Sequence, residues 1–291
     1  MTHQQPVVRP VIHVKKPSIV GHVFDTGLHG RIGLLAADPS RVLKFCNKNN
    51  EDAVAALERE KNILAVLGHH QHIIQLHWTS ELGLCFEYYP HGSLRFYYEN
   101  LRPVLPPLSE RVRWCHEAVA AFMYIHSKGM VHNDISARNI LLSSPSLELK
   151  VCDFGFANMA GEEVSGGPET RYGRPELWSQ LNSCVKDDLF AVGSLFYEIL
   201  MGERPYDWVD SSWTSKLLMV RVFPSTDDVR PEGFGKVIRR CWNEEYSSMV
   251  EIQNDLLRID NPGHEAGATE PESIRSSRET LTCSVDTTRN G

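Results

Sequence analysis

His132-Asn133-Asp134-Ile135-Ser136-Ala137-Arg138-Asn139, with Asp153-Phe154-Gly155 beginning fourteen residues beyond Asn139, is the stretch that decides how this 291-residue chain is read. An Asp, an Asn five residues later and a second Asp place three oxygen-bearing side chains between short apolar runs, Ile140-Leu141-Leu142 and Leu149-Lys150-Val151-Cys152. Such runs let a pocket hold the polar groups against a packed wall. The cluster suits magnesium and phosphate. Mg²⁺ takes oxygen ligands in an octahedron and borrows some from a substrate's phosphates, so one carboxylate and one amide, with water, suffice from the protein. The remaining Asp is then free to act on a proton.

Composition narrows the classes. Apolar residues at 42% and charged residues at 23% are ordinary for a globular protein. No apolar run approaches the ~18–20 residues of a membrane span; the longest, 189–201, contains Gly193, Ser194 and Glu198. The N-terminus has no basic end followed by an apolar core, so no signal peptide is expected. Seven scattered cysteines without a C-x-x-C pair favour free thiols in a reducing compartment. Net charge is −7, from 30 basic against 37 acidic residues, with no basic block, which argues against nucleic acid or an anionic membrane as principal partner. The expected location is cytoplasmic, with the nucleus left open.

Along the chain, residues 1–17 contain three prolines and no sustained period and read as an arm. Strands are expected at 19–24, 32–35 and 41–46, around a Gly-containing turn and the Asp38-Pro39 turn. Lys44 shares a strand face with Val42 and Cys46, where a solvated lysine would take the opposite face. A buried ammonium is costly unless paired. The expected helix 51–67, closed by Gly68, carries Glu60 in the middle of its stripe of Ala53, Leu57, Leu64 and Leu67. Singly, each charge could snorkel to solvent; together they read as a pair. Strands are expected at 72–77 and 82–89, then a short helix ended by Pro103, Pro106 and Pro107. A long helix capped by Ser109-Glu110 follows, running to Gly129. A Gly-rich segment at 158–170 is too irregular for a regular element, and 188–202, apolar on nearly all sides, reads as a buried helix. Residues 259–291 read as a disordered tail with Ser273, Ser276, Ser277, Thr280 and Ser284 as candidate phosphorylation sites.

In this order the parts resemble the eukaryotic protein kinase family, whose loop reads H-R-D-L-x-x-x-N and is followed by D-F-G. Asn133 stands where the family has Arg. Gly27, Gly30 and Ile32 fall on the family's G-x-G-x-x-G-x-V, with Asp25 for the first glycine, and a plain Gly-containing hairpin is the alternative for that stretch. Tyr172-Gly173-Arg174-Pro175-Glu176 resembles Y-x-A-P-E, and Ser248 stands where an Arg would pair with that Glu, so Arg171 or Arg174 is expected to substitute, or that end of the domain to be looser. The resemblance covers residues ~18–258 and implies an α+β, bilobal protein-kinase-like fold. A small antiparallel five-stranded sheet plus one helix (18–90) would precede a larger, mainly helical lobe (91–258). The variant loop and short domain resemble, more weakly, divergent single-domain kinases of filamentous fungi.

The resemblance implies an ATP-dependent protein kinase passing the γ-phosphoryl group to a hydroxyl of a protein substrate. Lys44, fixed by Glu60, would hold the α- and β-phosphates. Asn139 and Asp153 would hold Mg²⁺, and Asp134 would orient the hydroxyl and accept its proton. Gly27 and Gly30 would let backbone approach the phosphates, Ile32, Val42 and Leu141 would sandwich the adenine, and backbone groups of Glu87 and Tyr89 would face its edge, with Phe86 behind. Ser136, where Ser/Thr kinases carry Lys, and Arg138, as in tyrosine-kinase loops, leave the acceptor type undecided. A nucleotide-binding pseudokinase or scaffold, a small-molecule phosphotransferase and a purely structural interaction domain remain as alternatives. Cys152 reads as a buried, inert thiol that could instead be alkylated from the nucleotide pocket.

Because Asn133 removes the cation that usually receives a phosphorylated activation segment, phosphatase treatment is expected to leave turnover nearly unchanged. Loss of turnover on removing phosphate from residues 153–176 would contradict this.

Overall fold

The computed structural model describes residues 16–26, 30–101, 104–164, 166–175 and 182–261. Most of the N-terminal arm, Gly27, Glu176 and the candidate phosphorylation sites of the tail lie outside the described residues. Five strands, β1 (Val20–Thr26), β2 (Arg31–Leu35), β3 (Arg41–Phe45), β4 (Leu76–Ser80) and β5 (Gly83–Glu87), form one antiparallel sheet in the order β1-β2-β3-β5-β4. Residues 16 and 17 are tied to β1 without being part of the sheet: the Lys16 ammonium donates to Gly21 O at 2.7 Å and Val20 N–H to Pro17 O at 3.0 Å.

Period-two alternation gives β3 two apolar faces. Leu43 and Phe45 join Val20 in a small outer core, while Val42 faces the main core beneath. Lys44 lies on the Val42 face and is buried, as its place in the alternation predicts. At Gly33 a side chain is sterically excluded, because a Cβ would come within 2.5 Å of Val20 Cγ1 and 2.7 Å of His22 O.

Helix α1 (Glu51–Leu67) has the bounds expected from sequence. Asn50 caps it by accepting from Ala53 N–H at 3.1 Å, and Gly68, at φ 61°, ends it with its N–H on Leu64 O. The fourth strand departs from expectation: it runs from Leu76 to Ser80, not over 72–77. Ile73 and Ile74 are buried in the main core instead, where Ile74 N–H donates to Val151 O at 2.9 Å and Val151 N–H to His72 O at 2.8 Å. Their apolar side chains thus join the small sheet's connection to the larger lobe.

The larger lobe is built on α3 (Leu108–Ser127), α4 (Val185–Met201), α5 (Ser211–Met219), α6 (Phe234–Trp242) and α7 (Met249–Asp260), after a short helix α2 (Leu94–Phe96) that continues as one π turn, Tyr97–Leu101. Ser109 is not the cap of α3. Pro107 occupies that position without a side-chain hydrogen bond, its φ of −48° pre-set for entry to the helix. Helix α4 begins three residues before the expected 188, and α7 extends through Asp260 into the stretch expected to be tail. Burial runs round all faces of α4, from Asp187 to Leu200. Gly193 makes room for α6, since a Cβ there would stand 2.6 Å from Cys241 Cβ and 3.2 Å from Ile238 O. Trp242 Nε1 donates to Ser194 Oγ at 3.0 Å across the same seam. The six cysteines among the described residues are free thiols, and no helix among those residues is long and apolar enough to cross a membrane.

Gly193→Val is expected to lower unfolding free energy by ~1–3 kcal/mol through overpacking of the α4–α6 seam, read as a reduced urea midpoint with unchanged m. A midpoint equal to wild type would contradict that close approach.

Candidate active site

Strand β6 (Met130–Val131) delivers the chain into the loop 132–139, a 3₁₀ turn over Ala137–Asn139 closes it, and β7 (Ile140–Leu142), paired with β8 (Leu149–Val151), carries it away. The loop hangs from one carboxylate. Asp188, at the start of the buried α4, accepts from His132 N–H at 2.8 Å and Asn133 N–H at 3.0 Å, and lies 2.9 Å from His126 Nε2. The His132 ring packs between Phe122 and Phe154, with centroids at 6.0 and 4.9 Å. Burial holds its pKa below the ordinary histidine value, so the ring is neutral and its Nε2–H donates to Cys152 O at 3.1 Å.

Asn133 adopts a left-handed backbone, φ 62°, a conformation in which asparagine is enriched. Its amide donates to Phe156 O at 2.9 Å and Asn158 Oδ1 at 2.8 Å, and its Oδ1 accepts from Ser183 Oγ at 2.8 Å. The residue that replaces a cation therefore ties the loop to β9 (Asn158–Met159) by neutral hydrogen bonds.

Asn139 Nδ2 donates to both Asp134 O at 2.7 Å and Asp134 Oδ2 at 2.8 Å. Asp134 Oδ1 is buried without a hydrogen-bond partner. Burial first, and then the nearby Asp153 charge, push its carboxyl up to about 7, which suits a group that must take up a proton near neutrality. Asn139's amide nitrogen being committed, its carbonyl oxygen is the atom left for a cation.

Lys44 joins three elements. Its Nζ lies 2.6 Å from Glu60 Oε2 on α1 and 2.8 Å from Asp153 Oδ1. Burial opposes the ammonium, but the two carboxylates outweigh it and hold its pKa above the ordinary lysine value. Asp153 is pushed down to about 2: burial would raise it, and Lys44 overrides that cost. Its side chain is 41% exposed toward the cleft. Glu60 is raised by burial despite Lys44 and accepts from Phe154 N–H at 3.4 Å. Next to Glu60, Arg59 donates to Gly155 O at 2.7 Å, a second link from α1 to the Asp153 turn. Among the described residues no three His, Cys, Asp or Glu side chains group as metal ligands. Asn139 and Asp153 fit a hard cation that draws its other ligands from phosphate and water.

A cavity of about 690 Å³ lies between sheet and helical body, lined by Ile32, Val42, Phe86 and Leu141 on its apolar walls and by Lys44, Glu60, Asn139 and Asp153 at its polar end. Glu87, Tyr89, Cys152 and Arg138 also line it. Tyr88 N–H is spent on Ser40 O at 2.9 Å. Gly30 does not line the cavity. It packs on β3, where a Cβ would stand 3.0 Å from Phe45 O. Asp134 is set back from the lining, and Gly27 lies outside the described residues.

Several contributors are silent in sequence. Phe24 and Tyr88 meet edge-on at 5.7 Å and both line the cavity. Arg59 carries no local signal beyond adjacency to Glu60. Glu176, for which Arg171 or Arg174 is the expected substitute partner, lies outside the described residues; Arg174 is buried and pairs with Asp187 at 2.8 Å and Glu244 at 3.0 Å. Arg171 donates to the carbonyls of Val209 at 2.9 Å and Tyr206 at 3.3 Å.

Comparison with known proteins agrees with this geometry. The family described as protein tyrosine and serine/threonine kinase matches residues 32–256. A mitogen-activated protein kinase kinase kinase 7-like protein of Drosophila melanogaster is 28% identical over 216 residues, 68% of this chain and 55% of the relative. Fibroblast growth factor receptor homolog 1 of the same organism is 26% identical over 286 residues, 82% of this chain and 38% of the relative. Human serine/threonine-protein kinase ULK1 is 31% identical over 183 residues, 56% of this chain and 17% of the relative. The chain thus spans about half or less of the length of these curated relatives. With a five-stranded sheet over a helical lobe, the Lys44, Glu60, Asn139 and Asp153 side chains at one cleft and the kinase family model matching most of its length, the chain belongs to the protein kinase family.

Proposed function

We propose that this chain transfers the γ-phosphoryl group of ATP to a hydroxyl of a protein substrate. One observation carries the proposal: Asp134 keeps one carboxylate oxygen fixed by Asn139 and the other unpartnered, beside the Lys44–Glu60–Asp153 cluster. Asp134 orients the acceptor hydroxyl and takes its proton. Lys44, held by Glu60, neutralises the α- and β-phosphates, and Asn139 and Asp153 offer the oxygen atoms for Mg²⁺. When bound, Mg²⁺ supplies charge neutralisation on the phosphate oxygens. Ile32, Val42 and Leu141 clamp the adenine, and the Glu87 and Tyr89 backbone groups give its edge an acceptor and a donor. Residues 18–90 and 91–258 act as the two lobes, with a protein substrate and no nucleic acid or membrane as partner. Free thiols support a cytoplasmic site of action.

ATP with Mg²⁺ is expected to raise the melting temperature, and Lys44→Met to abolish that shift. A peptide library with labelled ATP should show transfer that Asp134→Asn reduces by ~10²–10⁴-fold. ATP binding without any transfer by the wild type would overturn the proposal in favour of a scaffold.

A separate outcome follows from the raised Asp134 carboxyl. A carboxyl whose folded pKa lies above its unfolded value favours the fold while protonated, and that contribution is lost as pH rises from the unfolded value, near 4, through the folded value of about 7. Asp134→Asn is therefore expected to be more stable than wild type at pH 8, with the gap closing toward pH 5. Parallel stability–pH curves for the two proteins would contradict it.

A further inference from the structure

Glu169 stands at the far end of the segment that begins at Asp153, one residue before a 3₁₀ turn, Thr170–Tyr172. Its own carbonyl accepts from Tyr172 N–H at 2.8 Å and Gly173 N–H at 3.1 Å, so its position sets the local backbone. Its Oε1 takes two arginines at once: Arg95 Nη1 at 2.6 Å and Arg138 Nε at 2.7 Å. The two come from different parts of the lobe. Arg138 belongs to the loop between Asp134 and Asn139 and is 55% exposed, while Arg95, on α2, is 8% exposed.

Arg95 is itself fixed from below. Glu198 of the buried α4 receives it twice, Nε to Oε1 and Nη2 to Oε2, both at 2.9 Å, and Nη2 also donates to Tyr172 OH at 3.0 Å. Two guanidinium groups and two carboxylates balance to zero charge. All three nitrogens of the planar Arg95 fork donate, with the Nε and Nη2 edge bidentate on Glu198, the geometry in which arginine binds carboxylate or phosphate best.

We propose that Glu169 is a positioning residue, a resident carboxylate that fastens the substrate-side end of the segment to Arg138 of the catalytic loop and to Arg95, so that no phosphoryl group on the segment is needed to order it. The proposal rests on the kinase reading of the site. A phosphate would order such a segment by offering anionic oxygens to arginines; Glu169 already offers one to two of them. At the segment's other end, Asn133 makes the corresponding tie to Phe156 O and Asn158 without any charge. Both ends are therefore held by groups encoded in the chain.

The test is amide hydrogen exchange on the full chain, comparing wild type, phosphatase-treated wild type and Glu169→Gln, which keeps shape and removes charge. Exchange at Tyr172 and Gly173 is expected to be about tenfold faster in Glu169→Gln, the scale set by losing one charged hydrogen bond. Melting temperature should fall only by the few degrees that one lost charged hydrogen bond implies, and the ATP-induced shift should remain at its wild-type value. Phosphatase treatment should leave protection intact. Where the wild type transfers phosphate, Glu169→Gln should raise KM for the acceptor about tenfold without changing KM for ATP, and Glu169→Asp should recover part of that loss. Unchanged exchange in Glu169→Gln, loss of the ATP-induced shift in that variant, or loss of protection on phosphatase treatment would each overturn the proposal. A wild type that is inactive yet shows the expected exchange pattern would refute transfer and leave the fastening role standing.

Discussion

One ammonium group organises the cleft. Lys44 sits between Glu60 and Asp153, at 2.6 and 2.8 Å, and the three come from β3, from α1 and from the turn after β8. Removing Lys44 would leave a buried Glu60 without its counter-charge, and removing Glu60 would leave Asp153 alone to hold the ammonium. Such a cluster is expensive to desolvate and is stable only when every partner is present. It therefore acts as a check on assembly, because the sheet, the helix and the Asp153 turn must all be in place together. Arg59 on Gly155 O and Glu60 on Phe154 N–H extend the same constraint along the turn.

The helical lobe contributes the opposite kind of support, rigid and mostly neutral. Helix α4 is buried on every side, so the Asp188 carboxylate at its start has little freedom, and the backbone of His132 and Asn133 is fixed by it. Asn133 fits there for two reasons: its backbone is left-handed, and its short amide reaches β9 and Ser183. The substitution that looked like a missing cation is thus a different solution to ordering the segment. Asp134 benefits from the rigidity. It can keep an unpartnered buried oxygen because the surrounding loop is held by other groups.

Arg174 shows the same replacement of one contact by another. In place of the family's alanine, it links the end of the segment to Asp187 on α4 and to Glu244 beyond α6, and Arg221 adds a second cation to Glu244 at 2.5 Å. Burial opposes the guanidinium, but the hydrogen bonds it donates to two carboxylates keep it charged. This end of the domain is held by an ion network of the chain's own.

What the amino-acid order determined by itself is what local physics can enforce. Helix α1 has the expected bounds because Asn50 and Gly68 are strong end signals, and Lys44 and Glu60 were legible because a charge on an apolar stripe demands a partner. Of the closely spaced Asp134, Asn139 and Asp153, the last two line the cleft, and Asp134 stands behind it, hydrogen-bonded by Asn139. Tertiary structure alone decided the rest. Ile73 and Ile74 read as strand but bury against Val151, 77 residues on from Ile74, and Pro107 displaces Ser109 as the start of α3. Arg59, Arg95 and Glu169 look like solvated charges in the linear chain. Their partners lie 96, 103 and 74 residues away, and no local pattern encodes which distant carboxylate or carbonyl a guanidinium will find once the two lobes have packed.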